Sequence, residues 1–237
     1  MCHCARRNSR FAISGGVFRF PRMQLVALLS SALAFFDTAP AAPNPKYNPV
    51  ILVHGIHSDS RDMTRMARYF RAEGREVFTP DLSPNGGQAT IEELGKQLAT
   101  YTAAHVKKGR KFDLVGFSMG GLVSRYYVQR LGGAERVGHL ITIAAPHRGT
   151  VMAQMAAGAG AVEMRRGSAF LRDLASDDAK LARVKFTTFY TPLDLVIVPA
   201  SSSVMPQAKN VRVWASLHPS LILEKRCIRA VAGALGS

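Results

Sequence analysis

The 237-residue chain is long enough for one sizeable α/β domain and short for two. Apolar residues at 47% allow a full core, and charged residues at only 20% exclude a chain disordered on composition. The formal charge is +15, but the basic side chains are scattered, with no arginine-rich tail or aromatic-interleaved stripe, so nucleic acid is not an expected partner.

Residues 1–22 are basic, and an apolar run of about a dozen residues follows from Met23 to Phe36, too short to span a bilayer. Ala39-Pro40-Ala41 then has the small-residue form of a signal-peptidase site. Residues 1–42 are therefore expected to be a secretory leader, and residues 43–237 the working domain, released outside the cytoplasm. Met23 is an alternative start, but it would leave a signal without a basic residue. The leader holds five arginines and one acid, Asp37, so 26 basic and 15 acidic side chains remain, a formal +11. Cys2 and Cys4 lie in the leader, which leaves Cys227 without an intramolecular disulfide partner.

Beyond the leader, residues 49–53 form a short β-branched run ended by His54-Gly55 and read as a buried strand. Met63, Met66, Ala67 and Phe70 have helical spacing over 62–72, with Asp59 or Ser60 as cap and Gly74 as stop. Residues 76–80 predict a strand. A helix is expected over 90–106, where Thr90 and Glu93 form a capping-box pattern. A strand at 112–116, a helix at 119–131 and a strand at 137–143 follow. Helical segments are expected over 168–175 and just before it, then strands at 184–190 and 211–214, and a closing helix over 219–235. Alternating strands and helices of this kind give a mostly parallel sheet with helices on both faces.

Gly116-Phe117-Ser118-Met119-Gly120 fits G-x-S-x-G, between a strand and a helix as that motif requires. Such a turn projects the Ser118 hydroxyl at the carboxyl end of the sheet, where the helix amides also point. A serine needs a base and a carboxylate to orient it. Three histidines follow Ser118 in the chain: His139, His147 and His218. His218, in the loop after the last strand, is the candidate base. Asp194, just past the penultimate strand, is the candidate acid. Asp173, Asp177 and Asp178 read as surface charges near a helix, and Glu163 precedes that strand. The oxyanion donors are expected to be the amides of Met119 and Ile56, with His54 and Gly55 supporting the second loop and Gly116 and Gly120 the elbow.

On these residues the sequence resembles bacterial lipases and esterases of the α/β-hydrolase superfamily, most of all the small extracellular lipases of the Bacillus subtilis type. The shared pieces are Val53-His54-Gly55-Ile56, the Ser118 elbow with Gly121, Ala145-Pro146-His147-Arg148-Gly149-Thr150, and Asp194 with its following apolar run. Leu217 departs from the glycine that usually precedes the family's histidine. The resemblance implies a single-domain α/β-hydrolase fold and hydrolysis of an acyl-ester or lipid substrate through an acyl-enzyme, with no cofactor; no acidic cluster has the spacing of a calcium loop, so no metal is expected. It also implies transient contact with a lipid interface. A thioesterase, amidase or acyltransferase would share the fold and the triad, and a secreted binding domain that lost the chemistry stays open. Residues 151–166, with Met152, Met155 and Met164 among alanines, are compatible with an acyl pocket or cover and with ordinary helix packing.

Overall fold

A computed structural model describes residues 42–236. All of the expected leader but its last residue, with Cys2 and Cys4, lies outside the described residues. The first strand, β1 (Val50–Val53), is completely buried. Helix α1 (Thr64–Ala72) buries Met66, Ala67 and Phe70. The expected side-chain cap is absent: Met63 takes the cap position, and Asp59 instead accepts from the Arg61 amide at 2.8 Å. A run of turns supplies the first helical amides with backbone partners, Met63 N on Ser60 O and Thr64 N on Arg61 O. Gly74, at φ +80°, ends the helix as expected.

Strand β2 (Val77–Phe78) is short, and α2 (Ile91–His105) follows with its capping box in place: Glu93 N donates to Thr90 Oγ1 at 3.0 Å and Thr90 N to Glu93 Oε2 at 2.8 Å. Then come β3 (Phe112–Phe117), α3 (Met119–Arg130), the single turn α4 (Gly133–Arg136) and β4 (Val137–Ile143). A 3₁₀ turn at Val151–Met155, α5 (Ala159–Glu163) and α6 (Ala169–Ala175) cross to β5 (Lys185–Tyr190) and β6 (Lys209–Arg212). The last strand starts two residues before its apolar run, because pairing begins at Thr187 with Lys209, ahead of Val211. The closing helix is broken into α7 (Ser220–Leu223) and α8 (Lys225–Leu235) at Glu224, whose ψ of 131° is extended; no proline or glycine marks that break.

The six strands are all parallel, in the order β2-β1-β3-β4-β5-β6. Alternation along each strand divides the core in two. Ile51, Val53 and Leu114 pack with Leu94 and Leu98 of α2 and Leu122 of α3 on one face. Val50, Leu52 and Val115 pack with Met66 and Phe70 of α1 and Ile228 and Val231 of α8 on the other. The chain leaves β1 toward β2 on one side and returns to β3 on the opposite side. In open parallel sheets this reversal opens a crevice at the carboxyl ends of the strands. Here it lies between the exits of β1 and β3.

Candidate active site

Ser118 stands in that crevice, between β3 and α3, at φ 53° and ψ −123°. A non-glycine residue holds such a backbone only where its surroundings fix it. Three packing constraints do so. A Cβ on Gly116 would lie 2.6 Å from Ser124 Oγ, and one on Gly120 would lie 2.6 Å from Val53 O and overlap His54 O. One on Gly121 would overlap the Ala145 side chain. The turn therefore packs directly onto the exits of β1 and β4, and Ser118 N donates to Ile143 O at 2.8 Å.

His218 and Asp194 come to the same place from the far side of the sheet. His218 Nδ1 lies 2.8 Å from Asp194 Oδ2, and both side chains are buried. The other carboxylate oxygen, Oδ1, accepts from the amides of Val196 at 2.8 Å and Ile197 at 2.9 Å. A carboxylate held by two amide donors is an acceptor toward the ring, so His218 carries its proton on Nδ1. Nε2 is then a bare lone pair, buried and without a hydrogen-bond partner. His218 lines the same cleft as Ser118, and its Nε2 makes no hydrogen bond to the hydroxyl among the described residues. The Phe117 ring packs 4.7 Å from the imidazole, centre to centre.

The loop after β1 is held by His54. Its Nε2 accepts from Leu82 N at 3.0 Å, so its Nδ1 is the donor to Gly55 O at 2.9 Å. His57 N donates to Asn85 O at 2.9 Å. The amides of Ile56 and Met119 have no backbone acceptor among the described residues, although those of Ser118 and His57 beside them do. One such donor thus stands in the loop after β1 and one at the start of α3. Among the described residues the non-glycine positions with positive φ are His57, Ser118 and Ala144, one after each of β1, β3 and β4, so strain concentrates around this crevice.

Two clefts meet at Ser118. Ile56, His57 and Val196 line both; one continues past His218 and Ile222, the other past Met152 and Met164. His57 was not singled out in the sequence, where it belongs to no motif. Thr150, which ends the shared Ala145–Thr150 piece, has a role the sequence did not assign: its hydroxyl donates to Val196 O at 2.7 Å and accepts from Val198 N at 3.0 Å, tying the Met152 segment to the Asp194 loop.

The other candidates lie elsewhere. His139 pairs with buried Asp113 at 3.0 Å, at the opposite end of the sheet from Ser118. His147 is buried beneath the site, its Nε2 2.9 Å from Thr142 Oγ1. Burial first, and then the charges of Arg125 and Arg148, hold its pKa well below the ordinary value. Glu163 caps α2, accepting from Ile91 N at 2.6 Å. Asp178 corrects the surface-charge reading: it pairs at 2.6 Å with Arg125, which is 1% exposed and also donates to Gln129 and to His147 O. A partner buried in the core gives no signal in the sequence. Among the described residues no group of three or more His, Cys, Asp or Glu side chains converges as a metal site.

A profile of the palmitoyl protein thioesterase family matches residues 49–193, which include Ser118 and stop just before Asp194. A triacylglycerol lipase of Pseudarthrobacter phenanthrenivorans is 30% identical over 118 residues, 44% of this chain and 35% of that protein. A lysosomal thioesterase of Mus musculus is 26% identical over 135 residues, 55% of this chain and 44% of that one. The matches span well under half the length of these relatives. Among solved structures, the mature Bacillus licheniformis lipase superposes with a TM-score of 0.73 at 19% identity, covering 83% of this chain and 95% of that one. Aspergillus fumigatus lipase B gives 0.71 at 17%, covering 84% and 55%. The chain is a lipase- and esterase-like α/β-hydrolase and belongs to the palmitoyl protein thioesterase family.

Proposed function

We propose that residues 43–237 hydrolyse acyl esters or thioesters through Ser118, His218 and Asp194. The observation that carries the reading is the orphaned Nε2 of His218: Asp194 fixes the proton on the other nitrogen, and the histidine lines one cleft with Ser118. Nε2 takes the hydroxyl proton as Oγ bonds to the acyl carbon. The oxyanion that forms is held by the amides of Ile56 and Met119. As it collapses, the bond to the leaving oxygen or sulfur breaks and Nε2 returns the proton to that atom. Water then repeats the sequence and releases the acid. Asp194 keeps the tautomer and stabilises the imidazolium.

An acyl substrate suits the surroundings. Val151, Met152, Met155, Leu195 and Leu223 stay exposed on the segments that border the two clefts, with Met155 at 83% and Leu195 at 71%. Apolar side chains gathered there favour acyl chains and contact with a lipid surface. The family profile and the mouse relative favour thioesters, and the bacterial relative favours oxyesters. The likeness to small extracellular lipases of the Bacillus subtilis type and the removal of residues 1–42 on secretion belong to the same proposal.

The test is labelling with a fluorophosphonate, followed by hydrolysis of nitrophenyl esters beside an acyl-thioester. Labelling of the parent, its loss in Ser118→Ala and a large drop in His218→Ala are expected. A folded parent that resists the probe overturns the reading and leaves a binding domain in its place.

A further inference from the structure

Resting on this reading of Ser118 and His218, we infer that the two clefts divide the substrate, with the leaving group beside His218 and a short acyl chain in the pocket closed by Met164. The argument is one of proton delivery. The leaving atom has to lie within reach of Nε2 to receive its proton. The leaving group therefore occupies the cleft that contains His218, a space of about 440 Å³ bordered by Ile222 and Leu223 and carrying the polar Ser58 and Asp62. Ser58 donates to Asp62 at 2.6 Å, which leaves carboxylate oxygen to accept from a hydroxyl or amine on the leaving group. The acyl chain hangs from the same carbonyl carbon in the other direction. It enters the second cleft, which lacks His218 and is walled by Pro146, Met152, Ala153, Ala156, Met164 and Ile197.

That second cleft holds about 150 Å³. At roughly 30 Å³ per small group it encloses about five carbons. Of its two methionines Met164 is buried, and we place it at the inner end; Met152 is 40% exposed and shares its 3₁₀ turn with exposed Met155, which marks the outlet. Chains up to about hexanoyl fit inside, and the outer methylenes of a palmitoyl chain would lie on the open methionine lip. Enclosing one methylene multiplies kcat/KM by about four, and a methylene on the lip adds far less.

The test is kcat/KM on nitrophenyl esters from acetate to palmitate, for the parent, Met164→Ala, Ala156→Phe and Leu223→Trp, with unfolding midpoints measured alongside. The parent is expected to rise about 10²-fold from acetate to hexanoate and then level off or fall. Met164→Ala should move the optimum outward by about three carbons, the heavy atoms it removes, and Ala156→Phe should move it back toward acetate. Leu223→Trp should keep the chain-length optimum and alter the preference among leaving groups. Ala156 is partly exposed, so its variant carries the test if Met164→Ala fails to fold. A parent optimum at palmitate overturns the division, as does a chain-length profile moved by Leu223→Trp and not by Ala156→Phe. Fluorophosphonate labelling of Ser118 separates these failures from failure of the triad: a labelled enzyme with the wrong profile refutes only the division of the clefts.

Discussion

Asp194→Asn would remove one charge and leave the shape of the site intact, and the structure dictates how the new amide must sit. The amides of Val196 and Ile197 both donate to Oδ1, so the asparagine carbonyl oxygen stays there and its NH₂ group faces His218 Nδ1. Two donors cannot share that contact, so the ring must carry its proton on Nε2, the nitrogen that should accept from Ser118. Reversing the amide would restore the tautomer but strand two buried N–H groups, at about 1–3 kcal/mol each. The Nδ1-protonated ring is therefore disfavoured by about 2–6 kcal/mol, and if His218 is the base kcat should fall by about 30-fold to 10⁴-fold. Asp194→Ala orphans the same two amides, so it should be the less stable variant although its side chain is smaller. Steady-state hydrolysis of nitrophenyl butyrate and a thermal melt would measure both effects. An asparagine variant within tenfold of the parent in kcat would refute the assignment of Asp194.

Three further outcomes rest on packing and charge. Gly120→Ala should cost about 3 kcal/mol or more, or about 10 °C in Tm, because its methyl would overlap the Val53 and His54 carbonyls, which cannot move without breaking β1; an unchanged melt would contradict the elbow geometry. Asp178→Ala leaves Arg125 buried without its counter-charge and should destabilise by about 2–4 kcal/mol, seen as a lower urea midpoint at unchanged slope. His147 is neutral when folded and protonates near its ordinary pKa when unfolded, so its contribution is complete above about pH 6.5 and is lost as pH falls below that value, by about 1.4 kcal/mol per unit. Chemical denaturation at pH 7.5 and 5.5 should show this slope in the parent and a flatter one in His147→Gln.

Much of the fold was legible because the sheet is parallel and covered on both faces. Buried strands such as Val50–Val53 read as uninterrupted apolar runs, and the capping box at Thr90 announces its helix. The candidate site was legible where it depends on backbone: the glycines about Ser118 are there because a methyl has no room. What escaped was set by tertiary partners. Asp178 is committed to an arginine 53 positions away. The register of β6 is decided by its pairing with β5. Neither of these has a local signature.

Leu217 shows how a departure from a family pattern is resolved by geometry. A glycine before His218 would be needed if that residue had positive φ or lay against another backbone. Neither holds: the non-glycine residues with positive φ are His57, Ser118 and Ala144 among the described residues, and Leu217 is 58% exposed. The His218 turn is fixed instead from its C-terminal side. Pro219, at φ −67°, leads into α7, and the carbonyls of Leu217, His218 and Pro219 accept from the amides of Ser220, Leu221 and Ile222. A proline at a helix start supplies the rigidity of that turn. Leu217→Gly should therefore leave kcat within about twofold and lower stability by no more than about 1 kcal/mol, the cost of extra freedom in the unfolded chain. Pro219→Gly should lower kcat more than Leu217→Gly, since it frees the backbone next to His218. The reverse order would mean that the residue before the base positions it, and that the leucine is tolerated at the expense of rate.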